Sequence, residues 1–181
     1  DYGMAGQGKK TVLSCTQEEF DGFWKNYFDL DVCYSSYLSA VDEKDDYLKA
    51  AAAFGSGIRI LRQDTWEMIV TFILSPQNNI PRIKGLIRSL CKRYGSRMET
   101  PEGNVYYSFP TAQSLAEASE KELRDMKLGY RSPYICGTAQ MAAEGKINVD
   151  GLCDMDDEEA REELMKLPGI GRKVAECICL F

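Results

Sequence analysis

The segment Leu167-Pro168-Gly169-Ile170-Gly171-Arg172-Lys173 constrains the fold of this 181-residue chain more than any other. It lies between two helical patterns, Asp156–Leu167 with an acidic first turn that suits the helix dipole, and Arg172–Phe181. Helices joined by so short a link must double back as a tight hairpin. The glycines leave backbone N–H groups uncovered at the N-terminus of the second helix. Such a terminus binds phosphate without needing side-chain charge. An ordinary turn between helices needs only one glycine at the C-cap. Two glycines around an apolar Ile170, followed at once by Arg172 and Lys173, are better explained by contact with a nucleic-acid backbone.

Net charge argues the other way at first, being −6 over the chain. Its distribution points back toward phosphate. Residues 57–97 hold eight bases (Arg59, Arg62, Arg82, Lys84, Arg88, Lys92, Arg93 and Arg97) against only Asp64 and Glu67. Phosphate binding depends on local potential rather than on average charge, although a solvated helix face gives the same count. Seven scattered cysteines form no CxxC pair, and there is no histidine. This reads as reduced, mostly buried thiols of an intracellular protein, in cytoplasm or nucleoid if bacterial, rather than as a zinc site. It also excludes Ser-His and Cys-His chemistry, so proton transfer falls to carboxylates, lysine or water. No apolar run approaches membrane-spanning length, and the Gly-rich, polar Asp1–Lys10 is a linker or flexible start rather than a secretory signal.

The rest of the pattern is helical. Thr11–Cys15 has strand-like composition and reads as the last strand of an upstream sheet domain, with residues 1–16 as linker plus strand. Thr16 and Glu19 make a capping box before Phe20, Phe23, Trp24, Tyr27 and Phe28, an apolar stripe expected in the core. Lys44–Phe54 reads as a helix stopped at Gly55, and Trp66–Leu74 as a buried central helix. Asn79, with Pro81 behind it, opens a helix that ends at Gly95. Thr111 and Ser119 start two short helices, and Ser132-Pro133 starts another ending at Gly145. About seven helices with short loops make an all-α helical bundle carrying a helix-hairpin-helix motif over residues 17–181.

LPGIGRKVAECICLF resembles the signature of the glycosylase superfamily named for that hairpin and for a Gly/Pro-rich loop ending in aspartate. Three further stretches, GIRILRQDTWEMIVTFILSPQNNIPRI, LGYRSPYI and the ECICL after the lysine, are similar to the 8-oxoguanine DNA glycosylase/lyase family. The resemblance implies base excision from duplex DNA containing oxidised guanine, by a monomer with no membrane role. It makes Lys173 the nucleophile, forming a Schiff base with the opened sugar. Helix-dipole chemistry supports this, because a positive terminus favours the neutral amine, as would burial against Ile170 and Val174. A surface phosphate-binding lysine is the plainer alternative.

Cys177, one turn on, is implied to pack on the extruded base, although alone it would read as core. Asn78 is implied to fill the gap, with Gln77 beside it where close relatives carry a third asparagine. Tyr130 would wedge into the stack, and Arg82 and Arg131 would bond the orphaned cytosine. These are also loop and cap positions, as Asn79 is. Gly169, Gly171 and Arg172 would hold phosphate. No cofactor is implied beyond a K+ or Na+ on the backbone carbonyls of Met165, Leu167 and Ile170. The family's catalytic aspartate is expected beyond Phe181, which makes this piece inactive or weakly active. A thymine-glycol type glycosylase/lyase and a non-catalytic hairpin DNA-binding module are the alternatives.

Overall fold

Trp66–Leu74 is the most apolar stretch of the chain, and the helix that follows the hairpin packs against it. In a computed structural model that describes residues 12–181, it falls within helix α4 (Thr65–Leu74), capped by the Asp64 side chain on the Glu67 N–H. Met68, Ile69, Val70, Ile73 and Leu74 of this helix are all buried. The chain forms two compact units, residues 12–63 and 64–181 among those described.

The first unit opens with a helix over 17–27, α1, whose Thr16–Glu19 capping box forms as expected. Its middle, Phe20–Trp24, is a π turn. The aromatic stripe does not become a core. Phe23 stacks on Tyr27 yet remains 55% exposed, and Trp24, Tyr27 and Phe28 are only half-buried. The π turn lengthens the helical period, so the side chains do not line up on one face. Two further helices follow, α2 (Tyr34–Ser39) and α3 (Asp46–Phe54), the latter capped by Asp45 and ending at Gly55. Asp29 is this unit's buried polar centre. It accepts from Arg62 Nε at 2.6 Å and from the Tyr34 hydroxyl, while Arg59 donates to the carbonyls of Asp29 and Val32. Two of the eight bases counted toward a phosphate-binding surface are thus committed to holding this unit together.

The second unit continues from α4 to α5 (Ile80–Tyr94), with Asn79 as its N-cap and Gly95 at its end. A small antiparallel hairpin follows, β1 (Arg97–Glu99) and β2 (Val105–Tyr107), with Met98 opposite Tyr106. Then come α6 (Ala112–Ala116), α7 (Glu120–Asp125), α8 (Ser132–Ala143), α9 (Asp157–Met165) and α10 (Arg172–Leu180). Each expected N-cap from Thr111, Ser119 and Asp156 forms, Ser119 with its Glu122 partner. One core joins these helices, running from Ile69, Leu74 and Leu90 through Leu123, Ile135 and Leu164 to Ala175 and Ile178. The ten α-helices among the described residues exceed the seven read from the pattern, and the short hairpin has no counterpart in it. Of the strand expected over Thr11–Cys15, Thr11 lies outside the described residues and Val12–Ser14 form no ladder. All seven cysteines are free, but none is fully buried as expected, since each stands at the edge of the core or on the surface, and no described helix is long and apolar enough to cross a membrane.

Candidate active site and nucleic-acid interface

The hairpin between α9 and α10 is anchored by its apolar residues. Leu167 and Ile170 are buried at 2% and 5% exposure, and the Ile170 N–H closes the turn on the Leu167 carbonyl at 3.2 Å. Gly169 has φ +83°, which disfavours any L side chain, and a Cβ there would stand 2.7 Å from the Tyr134 ring. On the facing helix, a Cβ at Gly137 would meet Pro168 at 3.1 Å, so its absence lets the loop sit down on α8. The buried Thr138 hydroxyl donates to the Pro168 carbonyl at 3.4 Å. The loop is therefore seated on α8 through Tyr134, Gly137 and Thr138.

Gly171 has no such internal reason to be glycine. Its φ of −92° suits any residue, and nothing lies within 4 Å of an added Cβ. It is the N-cap of α10 without a side-chain cap, so the first N–H groups of that helix find no acceptor among the described residues. These uncovered donors lie at the position where the sequence leads one to expect a phosphate.

Lys173 stands in the first turn of α10. Its side chain is exposed and, among the described residues, makes no hydrogen bond or ion pair. The expected burial against Ile170 and Val174 does not occur. The helix turns Ala175 and Ile178 into the core, which leaves position 173 on the outer face. Cys177 follows one turn later and is half-buried. Arg172 is exposed and donates to Glu176 at 3.0 Å along the same helix.

The second set of residues gathers on the loop between α4 and α5. Asn78 is folded inward, its Nδ2 donating to the Leu74 carbonyl at 2.9 Å and its Oδ1 accepting from the Asn79 N–H. Gln77 is instead exposed and held at φ +49°, an unfavourable conformation for a residue with a long side chain. Arg131 braces this loop from below. It is 2% exposed and donates through Nη2 to the carbonyls of Pro76 and Gln77, while its Nε has no acceptor among the described residues. Tyr130 covers it, with the guanidinium 4.4 Å from the ring centroid and the hydroxyl donating to Pro76. Arg82 is exposed and reaches the Lys127 carbonyl at 3.4 Å.

Tyr134 connects the two sets, touching the Gly169 position on one side and Tyr130 edge-on at 6.4 Å on the other. Its signal in the sequence is only its place one helical turn after Tyr130, which gives no reason to single it out.

Comparison with known proteins places the chain in a family. Residues 7–69 match a family model described as "8-oxoguanine DNA glycosylase, N-terminal domain". Residues 70–177 match "HhH-GPD superfamily base excision DNA repair protein". An N-glycosylase/DNA lyase of Saccharomyces cerevisiae is 41% identical over 86% of this chain and 44% of its own length. Another from Arabidopsis thaliana is 33% identical, again over 86% and 44%. The 8-oxoguanine glycosylase/lyase of Clostridium acetobutylicum, solved with DNA containing cytosine opposite 8-oxoguanine, superposes with a TM-score of 0.83. It is 38% identical, over 92% of this chain and 57% of that one. The chain thus spans about half the length of the relatives it matches. By these matches it belongs to the 8-oxoguanine DNA glycosylase family of the HhH-GPD superfamily of base excision DNA repair proteins.

Proposed function

We propose that this chain forms the nucleophile-bearing core of an enzyme that removes 8-oxoguanine from duplex DNA and then cleaves the strand 3′ to the resulting abasic sugar. The observation that carries the reading is an exposed amine, Lys173, without an internal partner, set at an uncapped helix N-terminus on a hairpin seated on α8. Phosphate bound at the Gly171–Lys173 amides would hold the strand, and Arg172 would exchange Glu176 for it. The Lys173 nitrogen then attacks C1′ of the damaged nucleotide. A C–N bond forms as the bond to the base breaks, and the base leaves with the electron pair and takes up a proton. Ring opening gives the imine, which acidifies the adjacent C2′ hydrogen and permits elimination of the 3′-phosphate. Cys177 lies on the same helix face one turn away, where the extruded base would rest.

Gln77 is the better candidate for the vacated space, because Asn78 is committed to its own loop while Gln77 points into solvent. Tyr130 would wedge beside it, with Arg82 nearest the orphaned cytosine and Arg131 keeping the loop in shape. Among the described residues the Met165 and Ile170 carbonyls accept no hydrogen bond, the Leu167 carbonyl accepts only from the Ile170 N–H, and the end of α9 carries the negative end of its dipole. Met165, Leu167 and Ile170 would there hold K+ or Na+, which would help neutralise the phosphate. The test is borohydride trapping on a duplex with 8-oxoguanine opposite cytosine. A covalent adduct is expected there, much less with guanine in its place, and none with Lys173→Gln. An adduct that persists in Lys173→Gln overturns the nucleophile, and equal trapping on guanine overturns the substrate.

A further inference from the structure

Helix α5 carries five bases and no acid. Arg82 reaches Lys127, and Arg93 pairs with Glu122 at 2.5 Å. The remaining three, Lys84, Arg88 and Lys92, are exposed and have no hydrogen bond or ion pair among the described residues. They follow one another at four-residue steps, so like charges face each other along one side of the helix, and each such pair is destabilising. Elsewhere in this unit the same spacing is used for compensation, as in Lys121–Asp125, Glu120–Arg124 and Arg172–Glu176. Folding gives no reason for the uncompensated run.

A second observation points to a ligand for this face. Pro81, Gly85 and Ser89 run alongside the bases, and all six residues fall within an arc of roughly 140° at about 100° per residue. Gly85 sits in the helix interior, where glycine is less favourable than alanine because it loses more backbone freedom. Nothing lies within 4 Å of an added Cβ there, so internal packing does not require it. The face is both basic and low in relief.

We infer that Lys84, Arg88 and Lys92 form a track for the phosphate backbone of the bound duplex, separate from the hairpin site. The occupant is DNA because the helix that carries the track begins at the Gln77–Asn79 loop, which the proposed function sets against the duplex. The inference rests on that function. The bases span about 12 Å at about 1.5 Å per residue. That is three to four base pairs at about 3.4 Å each, enough for one phosphate contact per base.

The test is binding of an undamaged duplex by fluorescence anisotropy across a salt series, with unmodified protein, K84Q/R88Q/K92Q, the charge-conserving K84R/R88K/K92R, and Gly171→Glu as the hairpin variant. Each phosphate contact contributes about 0.9 to the slope of log K against log salt. The triple glutamine variant should therefore lose about 2.7 from the slope, and the charge-conserving variant should keep it. Gly85→Leu, a better helix former, should fold normally yet bind more weakly at every salt concentration. If Gly171→Glu weakens binding but the glutamine variant keeps the full slope, the track is wrong and the hairpin reading stands. If the unmodified protein binds without salt dependence, the DNA reading itself fails.

Discussion

Replacing each hairpin glycine by alanine should separate folding from binding. At Gly169 two costs add. A left-handed residue with a Cβ costs roughly 1–2 kcal/mol, and φ is +83°. The methyl would also stand 2.7–2.9 Å from Cβ, Cγ and Cδ2 of Tyr134. Such overlap costs roughly 1–3 kcal/mol when the neighbour is wedged in place. Tyr134 has Tyr130 beside it, so it cannot swing away freely. Gly169→Ala should destabilise the unit by about 2–5 kcal/mol. Gly171→Ala meets neither cost, and as an N-cap change it should stay under about 1 kcal/mol. It should nonetheless weaken DNA binding, because its methyl stands at the uncovered amides. Urea unfolding followed by circular dichroism gives the first quantity and anisotropy with duplex DNA the second. If Gly171→Ala proves the more destabilising, or Gly169→Ala proves neutral, the two glycines have been assigned the wrong roles.

Three other outcomes follow from single contacts. Arg131→Met should remove the buried donor shared by the Pro76 and Gln77 carbonyls, leaving Pro76 only the Tyr130 hydroxyl, and cost roughly 1–3 kcal/mol, with hydrogen exchange of residues 77–79 accelerating first. Leu74→Ala, at a position with no exposure, should cost roughly 2–5 kcal/mol by urea unfolding, most if the core does not relax into the space. The Ser119 N–H and hydroxyl, then Arg93, hold Glu122 down to about 2 from an ordinary 4.5. A depressed carboxyl stabilises the fold above its unfolded value, and that contribution is lost as pH falls from about 4.5 toward about 2. Glu122→Gln should flatten this part of an acid-unfolding curve, and a curve of unchanged shape would show the capping box to be unimportant.

Much of the fold is legible because its signals are local. Asn79, Ser119 and Asp156 cap their helices within three residues of chain, and the buried α4 announces itself by composition alone. The β1–β2 hairpin does not, since strands three residues long leave no alternation to read. The basic count of residues 57–97 misleads for a different reason: Asp29, some thirty residues earlier, takes up Arg62 and Arg59. At the site, the lysine and the glycines are visible in the motif, but the contacts that seat them are long-range. Gly137 and Tyr134 lie more than thirty residues from the loop they support. Two adjacent amides, Gln77 and Asn78, are chemically alike in sequence. Only the backbone, with φ +49° at one and an inward hydrogen bond at the other, decides which is presented.

The proposed chemistry requires the Lys173 amine to form the bond to DNA. It is tested most directly by trapping the chain with borohydride on a duplex carrying an abasic site, which already offers the aldehyde. Digesting the adduct and locating the reduced sugar by mass spectrometry then identifies the residue. A single modified peptide is expected, with the mass added at Lys173. Modification concentrated at Lys166, at Lys127 or at the terminal amine would contradict it.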